Sequence, residues 1–148
     1  MRVAVSMRLA APARLLLAAT ACVSMVARVA VADQSPDVNY MIHCMGCHLA
    51  DGSGAPPQVP DVRGEMGRLL AADGGREYLV QIPGAATSPI SDRELAAVIN
   101  YMLQTFNAAT LPAAFAPFTE DEVKRLRPQW LNDPEPVRKR LLEAVAAQ

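Results

Sequence analysis

Apolar residues at Leu95, Val98, Ile99, Met102 and Phe106 recur every three or four positions, the spacing of one helix face. Ser91 stands just before that run, and Glu94 follows Ser91 by three residues. This is the capping-box pairing, in which each side chain satisfies a free backbone N–H of the other. SDRELAAVINYMLQTF is therefore predicted as the clearest helix of the chain. Upstream, Tyr40, Cys44 and Cys47 recur at helical spacing after Pro36-Asp37, which predicts a short helix within residues 37–48. ADGSGAPPQVPDVRGEMG has no period, is rich in Gly and Pro, and reads as an irregular loop. Residues 65–72 predict one or two helical turns ended by Asp73-Gly74-Gly75. Residues 76–82 predict a short helix stopped by Pro83-Gly84, with a strand as the alternative. After a linker with two prolines, AATLPAAFAPF, Thr119 and Glu122 form a second capping-box pair, opening a helix that Pro128 ends. Asn132 or Asp133 caps a last helix with Pro134 in its first turn, running through VRKRLLEAVAA. The basic run Arg138-Lys139-Arg140 falls on what reads as a solvated face of that helix. There is no repeat and no convincing strand pattern, so the expected class is all-α.

The N-terminus follows a different logic. Arg2, Arg8 and Arg14 precede the apolar run LLLAATACVSMVA, and Ala30-Val31-Ala32 offers a small-x-small cleavage site before polar Asp33-Gln34-Ser35. That order is the signature of a secretory signal peptide over residues 1–32. The uninterrupted apolar run is shorter than the ~20 residues a membrane span needs. Removing residues 1–32 takes away four of the fourteen basic residues and no acid. Ten Lys and Arg then face fifteen Asp and Glu, a net charge of −5. An acidic chain is unsuited to phosphate backbones, which excludes nucleic acid as a partner. Export to the periplasm follows, with no stable membrane insertion after cleavage.

Cys22 leaves with the signal, so both remaining cysteines lie in Cys44-Met45-Gly46-Cys47-His48. Three chemistries compete for such a cluster. A CxxC redox switch belongs after a strand in a βαβ unit, and no such context is visible. A structural zinc site needs four ligands on a tetrahedron. Here His43, Cys44, Cys47 and His48 all fall within six residues, too short a segment to surround an ion. The third is covalent haem c, one per chain, for which C-x-x-C-H is the signature. Two cysteines three apart reach two vinyl groups of one porphyrin, and the adjacent His48 presents an imidazole to the iron. His43 is expected to face solvent.

The surrounding residues extend the pattern. YMIHCMGCHLADGSGAPPQVPDVRG resembles class I c-type cytochromes in Tyr40 four residues before Cys44, in Asp51-Gly52-Ser53-Gly54, and in Pro60-Asp61-Val62-Arg63-Gly64. Tyr101 on the amphipathic helix completes the likeness. The resemblance implies a cytochrome c-like haem domain over residues 33–106 and a Pro-containing linker with a helical extension over 107–148. It implies that the helices bearing Tyr40 and Tyr101 cross near the haem. It also implies that the Pro60 carbonyl accepts a hydrogen bond from His48, fixing its ring. The family places a methionine, often Met-Pro, in the loop before the last helix as the second axial ligand. Here that loop reads VQIPGAATSPISD, with Ile82-Pro83 at the expected place and no Met, His or Lys over 76–92. Met66, just after the Pro60–Gly64 element, is the remaining candidate ligand. Met102 reads more simply as core, since methionine fills irregular apolar gaps.

Three functions follow from these features. The first is a one-electron carrier, or the cytochrome subunit of a periplasmic redox enzyme. It would itself be no enzyme, and would serve a dehydrogenase, an oxidase or a membrane electron-transfer complex. The second is a sensor whose open or weakly held iron binds a small ligand. The third is a haem-stabilised interaction module that uses residues 107–148.

Overall fold

The computed structural model describes residues 33–56 and 58–148. The signal-peptide reading of residues 1–32 lies outside the described residues. Asp33–Gln148 forms one compact unit of seven α-helices. These are α1 (Pro36–His43), α2 (Glu65–Leu69), α3 (Gly75–Gln81), α4 (Pro83–Ala86), α5 (Asp92–Phe106), α6 (Glu120–Leu126) and α7 (Glu135–Ala146). Short 3-10 turns over Ala108–Thr110 and Arg127–Gln129 complete it. Among the described residues the only β-type pairing is the isolated bridge between Ala55 and Val59, so the protein is all-α. No helix among them is long and apolar enough to cross a membrane.

The longest helix among the described residues, α5, carries the predicted capping box with both bonds present, Ser91 Oγ accepting from the Glu94 N–H and the Glu94 carboxylate from the Ser91 N–H. Its stripe of Leu95, Val98, Ile99, Met102 and Leu103 is buried. On one side α5 packs against α1, where Tyr40 meets the rings of Tyr101 and Phe106 at centroid distances of 5.9 and 5.2 Å. Such tilted aromatic contacts stabilise beyond the area they bury. On the other side α5 packs against α6, and the Asn100 side chain bonds both backbone groups of Phe118. The core runs on through Phe118, Val123, Leu126 and Leu141, so residues 107–148 share it with the preceding helices.

Four local expectations differ in detail. First, α1 stops at His43, because the Tyr40 carbonyl accepts from the N–H groups of both Cys44 and Met45 and the regular register is lost. Second, Pro83 ends α3 as expected but also opens α4, since a proline has no N–H to lose in a first turn. The strand alternative for residues 76–82 is not adopted. Third, only half of the second capping box forms. Thr119 Oγ1 accepts from the Glu122 N–H, but the Glu122 carboxylate is taken by Arg76 through two 2.7 Å bonds. Fourth, the run at 138–140 is not uniformly solvated. Lys139 and Arg140 are exposed, whereas Arg138 turns inward to Glu65.

Two other connections anchor the loops. Asn107, 1% exposed, accepts the Gly67 N–H and donates to the Met102 carbonyl. Arg127 reaches back to the segment between α4 and α5, donating to the carbonyls of Ala86, Ser88 and Ile90 and to the Asp92 carboxylate.

Candidate functional site

One apolar cavity of about 440 Å³ opens between these helices. That lies in the range of small-molecule and cofactor sites. Its first wall is the turn after α1. There the N–H groups of Cys47 and His48 both donate to the Cys44 carbonyl, at 3.1 and 2.9 Å, which winds the three residues into one turn. Cys44, Cys47 and His48 all line the cavity. The two thiols are not joined as a disulfide. Burial, with help from the charge of Cys47, pushes the Cys44 thiol up to about 11. A thiol held neutral at pH 7 is a poor nucleophile for disulfide exchange. Among the described residues no three His, Cys, Asp or Glu side chains cluster as metal ligands.

The second wall is the loop before α2, bringing Val59, Pro60 and Val62 to the cavity. Gly52, in the left-handed region at φ 82°, turns the chain there, and its N–H and carbonyl bond Leu49 and Val62. Gly54 serves a different end. A Cβ on it would lie 2.4 Å from the carbonyl oxygens of both Val59 and Pro60, so only glycine lets the two backbones approach this closely. The packing brings the Pro60 carbonyl beside His48. It lies close enough to favour the protonated ring, yet His48 Nδ1 is buried and makes no hydrogen bond of standard geometry. Burial has the larger effect and lowers the His48 pKa, with the Asp61 charge and the Pro60 carbonyl opposing it. The imidazole is therefore neutral at pH 7, the form that can ligate a metal. Arg63 in turn holds Asp61 at about 2 by side-chain and backbone hydrogen bonds.

The remaining walls are apolar. Leu95, Val98, Ile99 and Met102 come from α5, Met66 and Leu69 from α2, and Leu79 from α3. Met66 and Met102 are each 7% exposed. Ile82 lines the cavity together with Pro83, Gly84, Ala85, Ser88 and Ile90 of the segment that Arg127 holds. Met41 is exposed, and Met45 packs half-buried against the core. His43 corrects the expectation that it faces solvent. It is half-buried and lines the cavity, because it closes α1 immediately before the turn that carries Cys44 into the same wall.

Sequence reading missed one wall altogether. Pro134, Glu135 and Arg138 of the C-terminal region line the cavity beside Glu65 and Tyr78. Burial pushes the Tyr78 phenol up to about 12. Nothing in the spacing of α7 signals this, since the partner of Arg138 lies 73 residues away.

The donor set fits a large, flat, mostly apolar cofactor held at one edge by two thiols and approached by a neutral imidazole whose second nitrogen lacks a partner. No family model matches the chain. It is 31% identical over 116 residues to cytochrome c-552 of Thermus thermophilus, covering 66% of this chain and 88% of that protein. The same identity over 116 residues holds for the cytochrome c-552 of a second T. thermophilus strain, covering 66% of this chain and 78% of that protein.

Proposed function

Since this chain belongs to the c-type cytochromes, an electron-carrier family whose members bind haem c covalently, we propose that it is an exported, periplasmic one-electron carrier or the cytochrome subunit of a redox enzyme. The observation that carries the reading is the convergence of Cys44, Cys47 and His48 on one apolar cavity. On this reading Cys44 and Cys47 form the two thioethers and His48 is the proximal ligand. The Pro60 carbonyl accepts from His48 Nδ1–H, which fixes the ring and raises its basicity. Haem c supplies a one-electron iron couple. The protein holds it in place and keeps water from it with the side chains of Val62, Leu69, Leu79, Leu95, Val98 and Ile99. The acidic surface steers the carrier to basic patches on a dehydrogenase, an oxidase or a membrane complex, through contacts that are small and transient. It acts as a carrier and not as an enzyme.

The experiment is the pyridine haemochrome spectrum of protein made with a haem-attachment system. Two thioethers are expected in the unaltered protein and one in Cys44→Ala or Cys47→Ala. Haem that acid-acetone extracts from the unaltered protein would overturn the assignment.

Met66 is proposed as the thioether on the far side of the iron. A second reading, an open or weakly held sixth position that binds a small ligand, is favoured by Ile82 lining the cavity where the family carries methionine. Optical spectra with and without carbon monoxide separate the two. A methionine–iron charge-transfer band that Met66→Leu abolishes supports Met66. Rapid carbon monoxide binding by a high-spin protein supports the open iron.

A further inference from the structure

Among the residues that line the cavity, Arg138 is the only arginine or lysine, and it shares that lining with two carboxylates, Glu65 and Glu135. Its guanidinium is fixed on one edge. Nε–H donates to Glu65 Oε1 at 2.8 Å and Nη2–H to Oε2 at 2.6 Å. Both side chains are largely buried, 20% exposed for Arg138 and 16% for Glu65. The other edge is uncommitted. Nη1 stands 4.0 Å from Glu135 Oε2, too far for a hydrogen bond, and makes none among the described residues. Haem would bring two propionate carboxylates into a mostly apolar site that already holds the carboxylates of Glu65 and Glu135. A buried carboxylate needs a charged or hydrogen-bonding partner. Arg138 alone offers one with full charge, and Glu65 keeps its planar fork from turning away.

We infer that Arg138, supplied by α7, is a positioning residue for the haem, its Nη1 edge meeting a propionate. We infer further that the Glu65–Arg138 pair biases the reduction equilibrium of the iron. The inference rests on the haem reading above. Its electrostatics have a definite sign. Oxidation adds one positive charge at the iron. A fixed cation nearby opposes that charge and favours the reduced protein, whereas a fixed anion favours the oxidised one. The pair therefore acts in two opposed halves, and each half can be removed separately.

The test is redox titration of the haem-loaded protein against a dye of known potential, for the unaltered chain, Arg138→Gln, Arg138→Lys and Glu65→Gln. Arg138→Gln is expected to shift the electron-partition constant at least about threefold toward the oxidised protein. Glu65→Gln is expected to shift it toward the reduced protein. Arg138→Lys, which keeps the charge and loses the fork, should return most of the way. A purely structural role would loosen the cavity in every variant and move all of them in one direction. A common direction, or no shift in either neutral variant, overturns the inference. If Arg138→Gln does not fold, the opposite signs expected of Glu65→Gln and the double variant E65Q/R138Q, measured against E65Q alone, decide it. Haem content and the two-thioether spectrum are recorded for each protein. Unaltered protein without covalent haem overturns the haem reading and this inference together. Loaded protein whose potential ignores both charges overturns this inference alone.

Discussion

Arg127 fastens the segment between α4 and α5, and Arg127→Ala measures how firmly. The side chain is 16% exposed and spends its donors on five acceptors, the fifth being Ser88 Oγ at 3.4 Å. Nε–H reaches the Ala86 carbonyl at 2.8 Å. Nη1 reaches the Ile90 carbonyl at 2.8 Å and Asp92 Oδ1 at 3.1 Å, and Nη2 reaches the Ser88 carbonyl. The side-chain bonds within the segment are local ones, Thr87 to the Pro83 carbonyl and Ser88 to that of Ala85. A hydrogen bond from a charged group contributes roughly 1.5–3 kcal/mol. Breaking a buried ion pair by removing one partner costs roughly 3–5 kcal/mol. The three carbonyls lie in a short loop and regain water as it loosens, so the lower end applies, about 3 kcal/mol. For a domain of this size that lowers the thermal midpoint by about 12 °C. Arg127→Lys keeps the charge but has no planar fork to span three carbonyls, and should recover less than half of the loss. The assay is denaturant unfolding of the haem-loaded protein followed by far-ultraviolet circular dichroism, with hydrogen exchange over residues 84–90. A loss below about 1 kcal/mol, the level of an exposed ion pair, would refute the reasoning and show that the segment is held by its apolar contacts instead.

Three further outcomes are expected. Gly54→Ala should cost about 2–3 kcal/mol, since its Cβ has no room beside the Val59 and Pro60 carbonyls, whereas Gly46→Ala, with nothing within 4 Å, should be nearly neutral; thermal midpoints rank the two. Glu122→Gln should lower stability at pH 7, because the hydrogen bond from Arg76 holds the Glu122 carboxyl below its ordinary value. A depressed carboxylate stabilises above its unfolded pKa and stops doing so as pH falls through the folded one, so the gap between the urea midpoints of variant and parent should begin to narrow below about pH 4.3, the ordinary Glu value, and close at lower pH. Asn107→Leu should cost about 2–3 kcal/mol in urea unfolding, leaving the Gly67 N–H and the Met102 carbonyl without their partner.

What could be read in the sequence was what short-range chemistry decides. The Ser91–Glu94 box formed in full because both of its bonds lie within one turn, and Asn39 and Gln34, which also approach the carboxylate, do not displace the Ser91 N–H. The Thr119–Glu122 pair has the same spacing but formed by half, because Arg76, 46 residues away, takes the carboxylate. The stripe of α5 identified a buried face correctly. It did not reveal that the same face lines a cavity, since periodicity reports burial and not what lies opposite. Cys44, Cys47, His48 and Pro60 were legible as a group because they sit in two adjoining segments. The contribution of α7 was not, since the Arg138–Glu65 pairing exists only after the two ends of the domain have met.

That last wall gives the molecule an order of assembly. The chain emerges from its N-terminal side, so the turn bearing Cys44, Cys47 and His48 exists long before α7 does. Until α7 docks on α2 and α3, the side of the cavity lined by Glu65 and Tyr78 stays open to the surroundings. A bulky planar group can thus be presented to the two thiols through a doorway that the end of the same chain later shuts. On the haem reading proposed above, attachment precedes closure, and the door is held by Leu141 in the core together with the Arg138–Glu65 fork.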